Sequence, residues 1–421
     1  MTSFVGPGRP FHADVTVPGD KSLSHRALLL AAMAKGRSVV RGAGPGTDIA
    51  ATRRALEQLG VRIDPDIVES PGVARWRPLD HPIDAANSGT TMRLLTGALA
   101  PSSFRSVIVG DESLTARPMR RLAGPLGVLG ASIRVSDAGT PPVVIDGRPL
   151  RGAAVSIPIA SAQVRTAVAL AALQAAGPTT IDSPHGFRDH TERWLEYLGL
   201  GSRTTETVLR IDPSIIRPIH ALLPGDTSSA AFLWAAAAIN PGSSVRVPSV
   251  SLNPGRTGFL DVLAAMGATV DITPTGHVLG DPVGEVTVTG GYLHATTIRG
   301  VQTVRTLDEL PLVAVLAAFA DGVTMIEDAS ELRTKESDRI ASTVAMIRSL
   351  GGSAEPSNAG FAVEGTGLIG GVVAAARDHR IAMAAAIAAS RGGTVTVEGF
   401  EAAAVSWPGF DQVLEETWSL R

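Results

Sequence analysis

Residues 18–26, with the sequence PGDKSLSHR, place a Pro-Gly break and a dense polar cluster directly before an apolar Ala/Leu run. The run predicts a helix, and the cluster lies where that helix would begin. The first amides of a helix are unpaired and the helix dipole is positive there, so a helix start attracts anions. Lys21 and Arg26 add two full positive charges to this end. The segment therefore predicts an anion-binding site.

Six segments of the chain repeat this order of polar cluster, Ala/Leu-rich helix, Gly/Pro break and short β-branched strand. A second helix ending in Leu-Gly or Met-Gly follows in several copies, and a further strand comes after it. Each copy predicts a βαβαββ unit, and the whole predicts an α/β protein of mixed sheets with the helices inside. If the units are arranged alike, six helix starts converge on one anion-attracting cleft. The polar clusters begin at Lys21, Asn87, Ser161, Pro224, Asp308 and Arg377.

Length and composition narrow the classes of function. The chain has 421 residues, enough for two domains, and its 44% hydrophobic and 18% charged residues are typical of a globular protein. With 4% aromatic residues and a net charge of −3, binding to nucleic acid or to an anionic membrane is not expected. The opening residues lack a signal-peptide pattern, and no apolar run reaches the ~20 residues of a membrane span. We therefore expect a cytoplasmic protein.

Thiol and metal chemistry are not expected. The sequence has no cysteine, which excludes disulfides, thiolate nucleophiles and cysteine-ligated metals. His25, His190 and His379 lie in the polar clusters of three different repeats, without the spacing of metal ligands. We interpret these histidines as orienting or structural, and we predict no metal site.

The motifs that carry the polar clusters resemble those of the EPSP synthase (5-enolpyruvylshikimate-3-phosphate synthase) family. They stand in the family's order from residue 18 to residue 383, so the resemblance covers nearly the whole chain. The motifs are PGDKSLSHRALLLAA, NSGTTMRLL, LTARPMRRL, SAQVRTAV, FRDHTERWL, PGDTSSAAF, ELRTKESDRI and RDHRIAMAA.

The resemblance implies a two-domain enolpyruvyl transferase fold. Each domain is expected to be an inside-out α/β barrel of three βαβαββ units, with helix N-termini facing the interdomain cleft. One domain is expected to be continuous, residues 20–224. The other is expected to combine residues 1–19 with residues 225–421, with hinges near 19–21 and 224–226.

The resemblance also implies a reaction, in which the enolpyruvyl group of phosphoenolpyruvate (PEP) passes to the 5-hydroxyl of shikimate 3-phosphate and phosphate is released. Both substrates are polyanions, so the site must hold phosphates and carboxylates close together with Lys, Arg and helix N-termini. No metal or organic cofactor is needed for such an addition–elimination. Glyphosate is expected to inhibit by competing with PEP, and the enzyme is expected to be a monomer.

Site residues follow from the positions that match the family's motifs. The residues implied to bind shikimate 3-phosphate are Lys21, Ser22, Arg26, Ser161, Ala162, Gln163, Arg188, Asp308 and Lys335. Those implied to bind PEP are Lys21, Gly89, Arg117, Gln163, Arg339 and Arg380. Glycine suits position 89 because a side chain would obstruct the approach of the phosphate to the backbone. A planar guanidinium suits the PEP carboxylate at Arg339 and Arg380.

The implied catalytic residues are Lys21, Asp308, Lys335 and Glu336. Asp308 is the expected acceptor of the 5-hydroxyl proton, and Lys335 could hold it in the required ionisation state. Glu336 is the candidate for protonating the methylene carbon of PEP. From the sequence alone Glu309 is an alternative to Asp308, although the spacing from the Lys-Glu-Ser motif favours Asp308.

Four positions depart from the family's pattern or have another interpretation. Arg188 stands where some members carry Ser, and Val405 stands where many carry a Lys that contacts PEP. Glu331 replaces an Asn before the Lys-Glu motif. Asp226 of PGDTSS is interpreted as a helix cap rather than a catalytic group.

Two other functions have different sequence signatures. An enolpyruvyl transferase acting on UDP-N-acetylglucosamine usually has a Cys on a mobile loop and Lys-Asn near its start, whereas this chain has no Cys and has Lys21-Ser22. A non-catalytic anion-binding protein on the same scaffold would be expected to lose Asp308, Lys335 or Glu336, and all three are present.

Overall fold

Short strands and helices alternate along the chain in the computed structural model, which describes residues 1–184 and 188–419. Over these residues the strands are β1 (Thr2–Phe4), β2 (His12–Asp14), β3 (Lys35–Arg41), β4 (Arg62–Asp64), β5 (Ile67–Pro71), β6 (Ile83–Asp84), β7 (Arg105–Val109), β8 (Ser132–Arg134), β9 (Val143–Asp146), β10 (Ala154–Ser156), β11 (Thr179–Asp182), β12 (Gly201–Arg203), β13 (Val208–Ile211), β14 (His220–Leu222), β15 (Ser244–Ser251), β16 (Thr269–Val278), β17 (Asp281–Thr289), β18 (Thr297–Ile298), β19 (Val323–Ile326), β20 (Ser353–Ser357), β21 (Gly360–Glu364), β22 (Gly371–Ala374) and β23 (Val395–Glu398).

Helices connect these strands. They are α1 (Lys21–Met33), α2 (Thr47–Gln58), α3 (Gly89–Leu99), α4 (Glu112–Thr115), α5 (Arg120–Val128), α6 (Ala162–Ala172), α7 (His190–Tyr197), α8 (Thr227–Ala238), α9 (Gly258–Ala265), α10 (Val301–Thr306), α11 (Leu310–Ala318), α12 (Arg339–Ser349), α13 (His379–Ala388) and α14 (Phe410–Ser419). Short 3-10 helices occur at Val73–Arg75, Ser330–Thr334 and Phe400–Val405. In the part of the chain that the structure describes, no helix has both the length and the apolar character needed to cross a bilayer.

The chain divides into two compact units, which are named here after one residue of each. The Lys21 unit comprises Gly19–Leu223 and His277–Asp281, and the Asp308 unit comprises Met1–Pro18, Pro224–Gly276 and the chain from Pro282 onwards. Each unit has its own apolar core.

Three four-stranded mixed sheets build the Lys21 unit, with strand orders β14-β3-β5-β4, β6-β7-β9-β8 and β10-β11-β13-β12. In each sheet the first two strands are parallel and the others pair antiparallel. A parallel pair needs a crossover connection, and a helix supplies it between β6 and β7 and between β10 and β11. This is the predicted βαβαββ pattern, and it confirms the α/β fold class.

The Asp308 unit repeats the same plan. Its sheets have the strand orders β16-β17-β15-β2, β18-β19-β21-β20 and β1-β23-β22, so the last of them is three-stranded. Strand β2 pairs in parallel with β15, and β1 pairs antiparallel with β23. The N-terminal residues therefore complete two sheets of a unit whose remaining strands lie after residue 224.

A strand exchange also completes the first repeat of the Lys21 unit. Strand β14 pairs in parallel with β3, with Ala221 opposite Val40. The first strand of this repeat thus comes from the end of the unit's main segment. It occupies the place beside β3 that the preceding strand of the chain would take in a continuous βαβαββ repeat. A repeat read as a continuous stretch of sequence does not show this exchange.

Three helices in each unit are buried around their whole circumference, namely α1, α3 and α6 in one unit and α8, α11 and α13 in the other. A helix that is apolar on every side is expected at the centre of a domain. Small residues allow close packing there: a Cβ at Gly97 on α3 would lie 2.0 Å from the carbonyl oxygen of Ala167 on α6. The sheets therefore enclose the helices, as the repeat pattern predicts.

The expected domain bounds and the observed units differ by one residue at each hinge, Gly19 and Pro224, and at one longer segment, His277–Asp281. The sequence-based bounds assign all of 225–421 to one domain, whereas this segment packs in the Lys21 unit. Nδ1 of His190 lies 3.1 Å from both carboxylate oxygens of Asp281, and both side chains are fully buried. Leu279 joins the apolar core of the same unit. His190 thus has the structural role predicted for it.

Candidate active site

The helix starts of the Lys21 unit carry most of the predicted substrate-binding residues. The Asp20 carboxylate caps α1 by accepting from the Leu23 amide at 2.9 Å. Ser88 caps α3 and Ser161 caps α6 through their hydroxyls. Each cap stands directly before a predicted site residue, so capping fixes that residue in the first turn. The predicted residues in this unit are Lys21, Ser22, Arg26, Gly89, Arg117, Ser161, Ala162, Gln163 and Arg188.

Lys21 and Arg26 lie on consecutive turns of α1 but have different environments. Nζ of Lys21 is partly exposed and lies 3.1 Å from a carboxylate oxygen of Asp48. Arg26 is only 4% exposed, and its guanidinium donates to the hydroxyls of Thr166 and Thr191. It also donates to the carbonyl oxygen of Ser22. Arg26 therefore ties the start of α1 to α6 and α7, and its contact with a substrate stays a prediction.

An arginine pair surrounds the start of α3. A Cβ built at Gly89 would lie 2.8 Å from Nη1 of Arg93 and 3.0 Å from Nη1 of Arg117. Gln163 accepts from Arg93 and donates through Nε2 to the Thr90 hydroxyl at 2.8 Å. The starts of α3 and α6 are thus joined by amide and guanidinium groups. Arg93 has no predicted role, although it stands inside the NSGTTMRLL motif.

Arg188 lies in the short loop before α7 and is half-buried. Phe187, the first residue of the FRDHTERWL motif, lies outside the described residues. Ser161 and Ala162 are half-buried at the start of α6.

A chain of hydrogen bonds runs from α1 to the start of α3. Nδ1 of the buried His25 lies 2.7 Å from the Thr52 hydroxyl, which lies 2.7 Å from the Thr91 hydroxyl. Thr91 donates in turn to the Ser88 cap at 2.7 Å. Burial lowers the pKa of His25 well below its ordinary value, and the charges of Lys21 and Arg26 lower it further. His25 thus orients the helix start, as predicted for it.

We expect the low pKa of His25 to make folding stability depend on pH. As the pH falls below 6.5, the ordinary value, the unfolded chain binds a proton at this ring and the folded chain does not. The free energy of unfolding therefore decreases on acidification, by up to about 1.4 kcal/mol per pH unit from this group. Denaturant titrations at several pH values between about pH 7 and pH 5.5 give the free energy of unfolding at each pH. This free energy should depend less steeply on pH in His25→Gln than in the wild type. Equal slopes would contradict the assignment.

The helix starts of the Asp308 unit are built from charged groups. The Asp226 carboxylate caps α8 by accepting from the Ser228 amide at 2.7 Å, which confirms the cap predicted there. Asp378 caps α13 by accepting from the Arg380 amide at 2.9 Å. The predicted residues in this unit are Asp308, Lys335, Glu336, Arg339 and Arg380.

The Asp308 carboxylate lies among cations from separate motifs. Its Oδ1 is 3.3 Å from Nη1 of Arg339 and 3.7 Å from Nζ of Lys335. Its Oδ2 is 3.7 Å from Nη1 of Arg256. Glu336 also pairs with Arg339, and its Oε2 lies 2.7 Å from Nη2 of that arginine. The structure thus brings together four of the five residues predicted in this unit.

Arg339 and Arg380 are both buried beside carboxylates. Burial alone would lower the pKa of Arg339, but the Asp378 and Glu336 carboxylates outweigh it and raise the pKa above its ordinary value. Burial lowers the pKa of Arg380, against the opposing charge of Glu309. Nη1 of Arg380 lies 3.3 Å from Oε1 of Glu309.

The structure distinguishes Asp308, which the motif spacing favours as the base, from its alternative Glu309. The Asp308 side chain is 14% exposed, whereas that of Glu309 is 4% exposed and accepts from Ser228 and Arg380. Glu309 therefore joins α8 to α13, and Asp308 is the more exposed of the two carboxylates.

Arg256 is a second residue of the site without a predicted role. It precedes α9, and its Nη2 donates to Oδ1 of Asp226 at 3.0 Å and to the Ser228 hydroxyl. Its only signal in the sequence is an Arg after a Pro-Gly turn, which is usually a surface residue.

Two departures from the family's pattern have clear positions. Oε1 of Glu331 lies 3.3 Å from Nζ of Lys335, so it adds a carboxylate to the lysine's surroundings. Val405 ends the 3-10 helix Phe400–Val405 and is half-buried. Among the described residues, no group of three or more His, Asp or Glu side chains is placed to hold a metal ion.

Comparisons with known proteins agree with one another. The family model described as EPSP synthase (3-phosphoshikimate 1-carboxyvinyltransferase) matches residues 5–414. The 3-phosphoshikimate 1-carboxyvinyltransferase of Anaeromyxobacter sp. (strain Fw109-5) is 44% identical over 413 residues, covering 96% of each chain. That of Geobacter sulfurreducens is 41% identical over 418 residues, covering 97% of each.

Solved structures show the same similarity. The EPSP synthase of Acinetobacter baumannii superposes with a TM-score of 0.87 at 35% identity, covering 99% of this chain and 98% of that one. The enolpyruvyl transferase NikO of Streptomyces tendae has a TM-score of 0.78 at 18% identity, covering 99% and 96%, which shows a shared fold alone.

Proposed function

The chain belongs to the EPSP synthase family, and we infer that it transfers the enolpyruvyl group of PEP to the 5-hydroxyl of shikimate 3-phosphate, releasing phosphate. The observation that carries this function is the position of Asp308, within 4.0 Å of both Lys335 and Arg339. A reachable carboxylate beside two cations suits a reaction that removes a proton from a hydroxyl while it binds anionic substrates.

We propose that the Lys21 unit supplies the phosphate-binding groups. Lys21 is partly exposed at the start of α1, where its charge adds to the helix dipole. Gly89 and Arg117 would bind the PEP phosphate, and Ser161, Ala162 and Gln163 would bind shikimate 3-phosphate at the start of α6. Ser22, Arg26 and Arg188 are proposed as further contacts to shikimate 3-phosphate.

In the Asp308 unit we propose that Arg339 and Arg380 bind the PEP carboxylate. Asp308 accepts the proton of the 5-hydroxyl while the hydroxyl oxygen forms its bond to PEP. Lys335 contacts the same hydroxyl. Glu336 supplies the proton that the methylene carbon gains in the addition step. Elimination then removes a proton from that carbon and releases phosphate.

Phosphate release from PEP tests the proposed function. The purified protein should release phosphate when both PEP and shikimate 3-phosphate are present, and not with PEP alone. Release that does not depend on shikimate 3-phosphate, or no release with both substrates, would contradict the proposal. UDP-N-acetylglucosamine in place of shikimate 3-phosphate should give no release.

Gly89 leads to a prediction about inhibition. We propose that glyphosate competes with PEP. Gly89→Ala should weaken the binding of both ligands, because the new Cβ would press on Arg93 and Arg117. A cost of about 1.4 kcal/mol would raise the KM for PEP and the inhibition constant about tenfold. Steady-state kinetics at varied PEP measure both constants. An unchanged inhibition constant in Gly89→Ala would show that this helix start does not bind the inhibitor.

We further propose that the enzyme acts as a monomer in the cytoplasm. Size-exclusion chromatography with light scattering should give a mass near the 43.4 kDa of one chain. A mass of twice this value would contradict the monomer.

A further inference from the structure

Arg256 connects the start of α8 to the Asp308 carboxylate. Its side chain is 3% exposed, and its guanidinium is directed at groups of the protein itself. Nη2 donates to Oδ1 of Asp226 at 3.0 Å and to the hydroxyl of Ser228, and Nη1 lies 3.7 Å from Oδ2 of Asp308. One guanidinium therefore faces three acceptors.

The two oxygens of Asp308 face different cations. Oδ1 faces Arg339 and Lys335, whereas Oδ2 faces Arg256. Contacts to both oxygens fix the plane of a carboxylate as well as its position, and charged partners favour its ionised form. Arg256 therefore adds a cation at the second oxygen of the carboxylate.

Asp226, which accepts from Arg256, is itself held in place. Asp226 is held by its capping bond to α8, a helix whose residues are all buried. The planar fork presents Nη1 to Asp308 and Nη2 to Asp226 and Ser228, whereas a lysine carries all its donors on one nitrogen. The arrangement therefore depends on arginine and not only on a positive charge.

We propose that Arg256 is a positioning residue for the transfer reaction, which holds the Asp308 carboxylate ionised and oriented toward the hydroxyl proton. This inference rests on the proposed role of Asp308 as proton acceptor. The cations that face Asp308 are Arg256, Lys335 and Arg339, and the neighbouring carboxylates are Asp226, Glu309 and Glu336.

The pH dependence of Arg256→Met tests the proposal. We expect kcat to fall about 10- to 100-fold, while the KM values of both substrates change less than about threefold. The acidic limb of the kcat/KM profile should move up by about one pH unit, because the carboxylate loses a cation within 4 Å and binds a proton more readily. Arg256→Lys keeps the charge and loses the fork, so it should keep the position of the limb and recover only part of kcat.

Arg305→Met is the matched control. Arg305 donates to the carbonyl oxygen of Pro254 at 2.8 Å, in the same loop as Arg256, and pairs with Asp261. Its removal disturbs the loop without removing one of the cations that face Asp308. We expect a kcat and an acidic limb equal to those of the wild type.

Three outcomes would overturn the proposal. One is a lower melting temperature and kcat in Arg256→Met with an unmoved acidic limb, and another is a shift of the limb in Arg305→Met. If Arg256→Met does not fold, a wild-type kcat in Arg256→Lys overturns it instead.

Asp308→Asn separates this inference from the proposed function. Full turnover in that variant removes the proton-acceptor role itself, whereas lost turnover together with a wild-type profile in Arg256→Met removes only the role of Arg256.

Discussion

Asp308→Asn is expected to lower kcat by about 10³-fold, with a much smaller change in the KM for either substrate. The amide keeps the shape of the side chain but cannot accept the hydroxyl proton, and general-base catalysis typically contributes 10²- to 10⁴-fold. The variant should also fold, since Asp308 lies partly exposed among Arg256, Lys335 and Arg339. Phosphate release at saturating substrates measures kcat, and thermal unfolding measures the fold.

Glu309→Gln is the matched control for this prediction, because it changes the adjacent residue in the same way. Glu309 is buried and accepts from Ser228 and Arg380, so its loss should appear first as lower stability. We expect an amide there to retain far more turnover than the amide at 308. If Glu309→Gln is the less active of the two variants, the assignment of the base to Asp308 is wrong.

Arg339→Met is expected to destabilise the fold by about 3–5 kcal/mol, because removing one member of a buried ion pair leaves the other charge without compensation. Asp378 would be that charge: it is 0% exposed, and it accepts from Nε and Nη2 of Arg339 at 2.8 and 3.2 Å. The same variant should bind PEP poorly, since it removes half of the proposed carboxylate site. Denaturant unfolding and PEP titration measure the two effects.

Arg348→Met provides the comparison on the same helix. Nη2 of Arg348 lies 2.7 Å from Oε1 of Glu355, but the arginine is 49% exposed, and an exposed pair contributes at most about 1 kcal/mol. We expect its PEP affinity to match that of the wild type. Equal destabilisation in the two variants would show that burial of the Asp378 pair is not what makes Arg339 important to the fold.

The repeat, the helix starts and the fold class could be predicted from the sequence because each depends on local patterns. An apolar Ala/Leu run predicts a buried helix, and an Asp or Ser in the polar cluster before it is a typical cap, as predicted at Asp226. The structure has such caps at Asp20, Ser88, Ser161, Asp226 and Asp378. The resemblance then indicated which polar residues at these starts carry the chemistry.

Features that depend on distant parts of the chain could not be predicted in this way. Strand β14 pairs with β3, and β2 with β15, across long intervening segments, so a repeat read locally lacks its first strand. The segment His277–Asp281 belongs to the Lys21 unit, where Asp281 makes a buried contact with His190. No pattern in the sequence around the segment predicts this contact.

The sequence by itself determined the six helix starts, the polar residues at each and the family. Tertiary structure decided how deeply each of those residues is buried and which groups it pairs with. Asp308 and Glu309 are adjacent and chemically alike, and the packing of Ser228 and Arg380 against Glu309 leaves Asp308 as the more exposed carboxylate. Arg256 likewise became visible only when folding brought it to the carboxylate, because the partners of a charged side chain are set by contacts between segments and not by its neighbours in sequence.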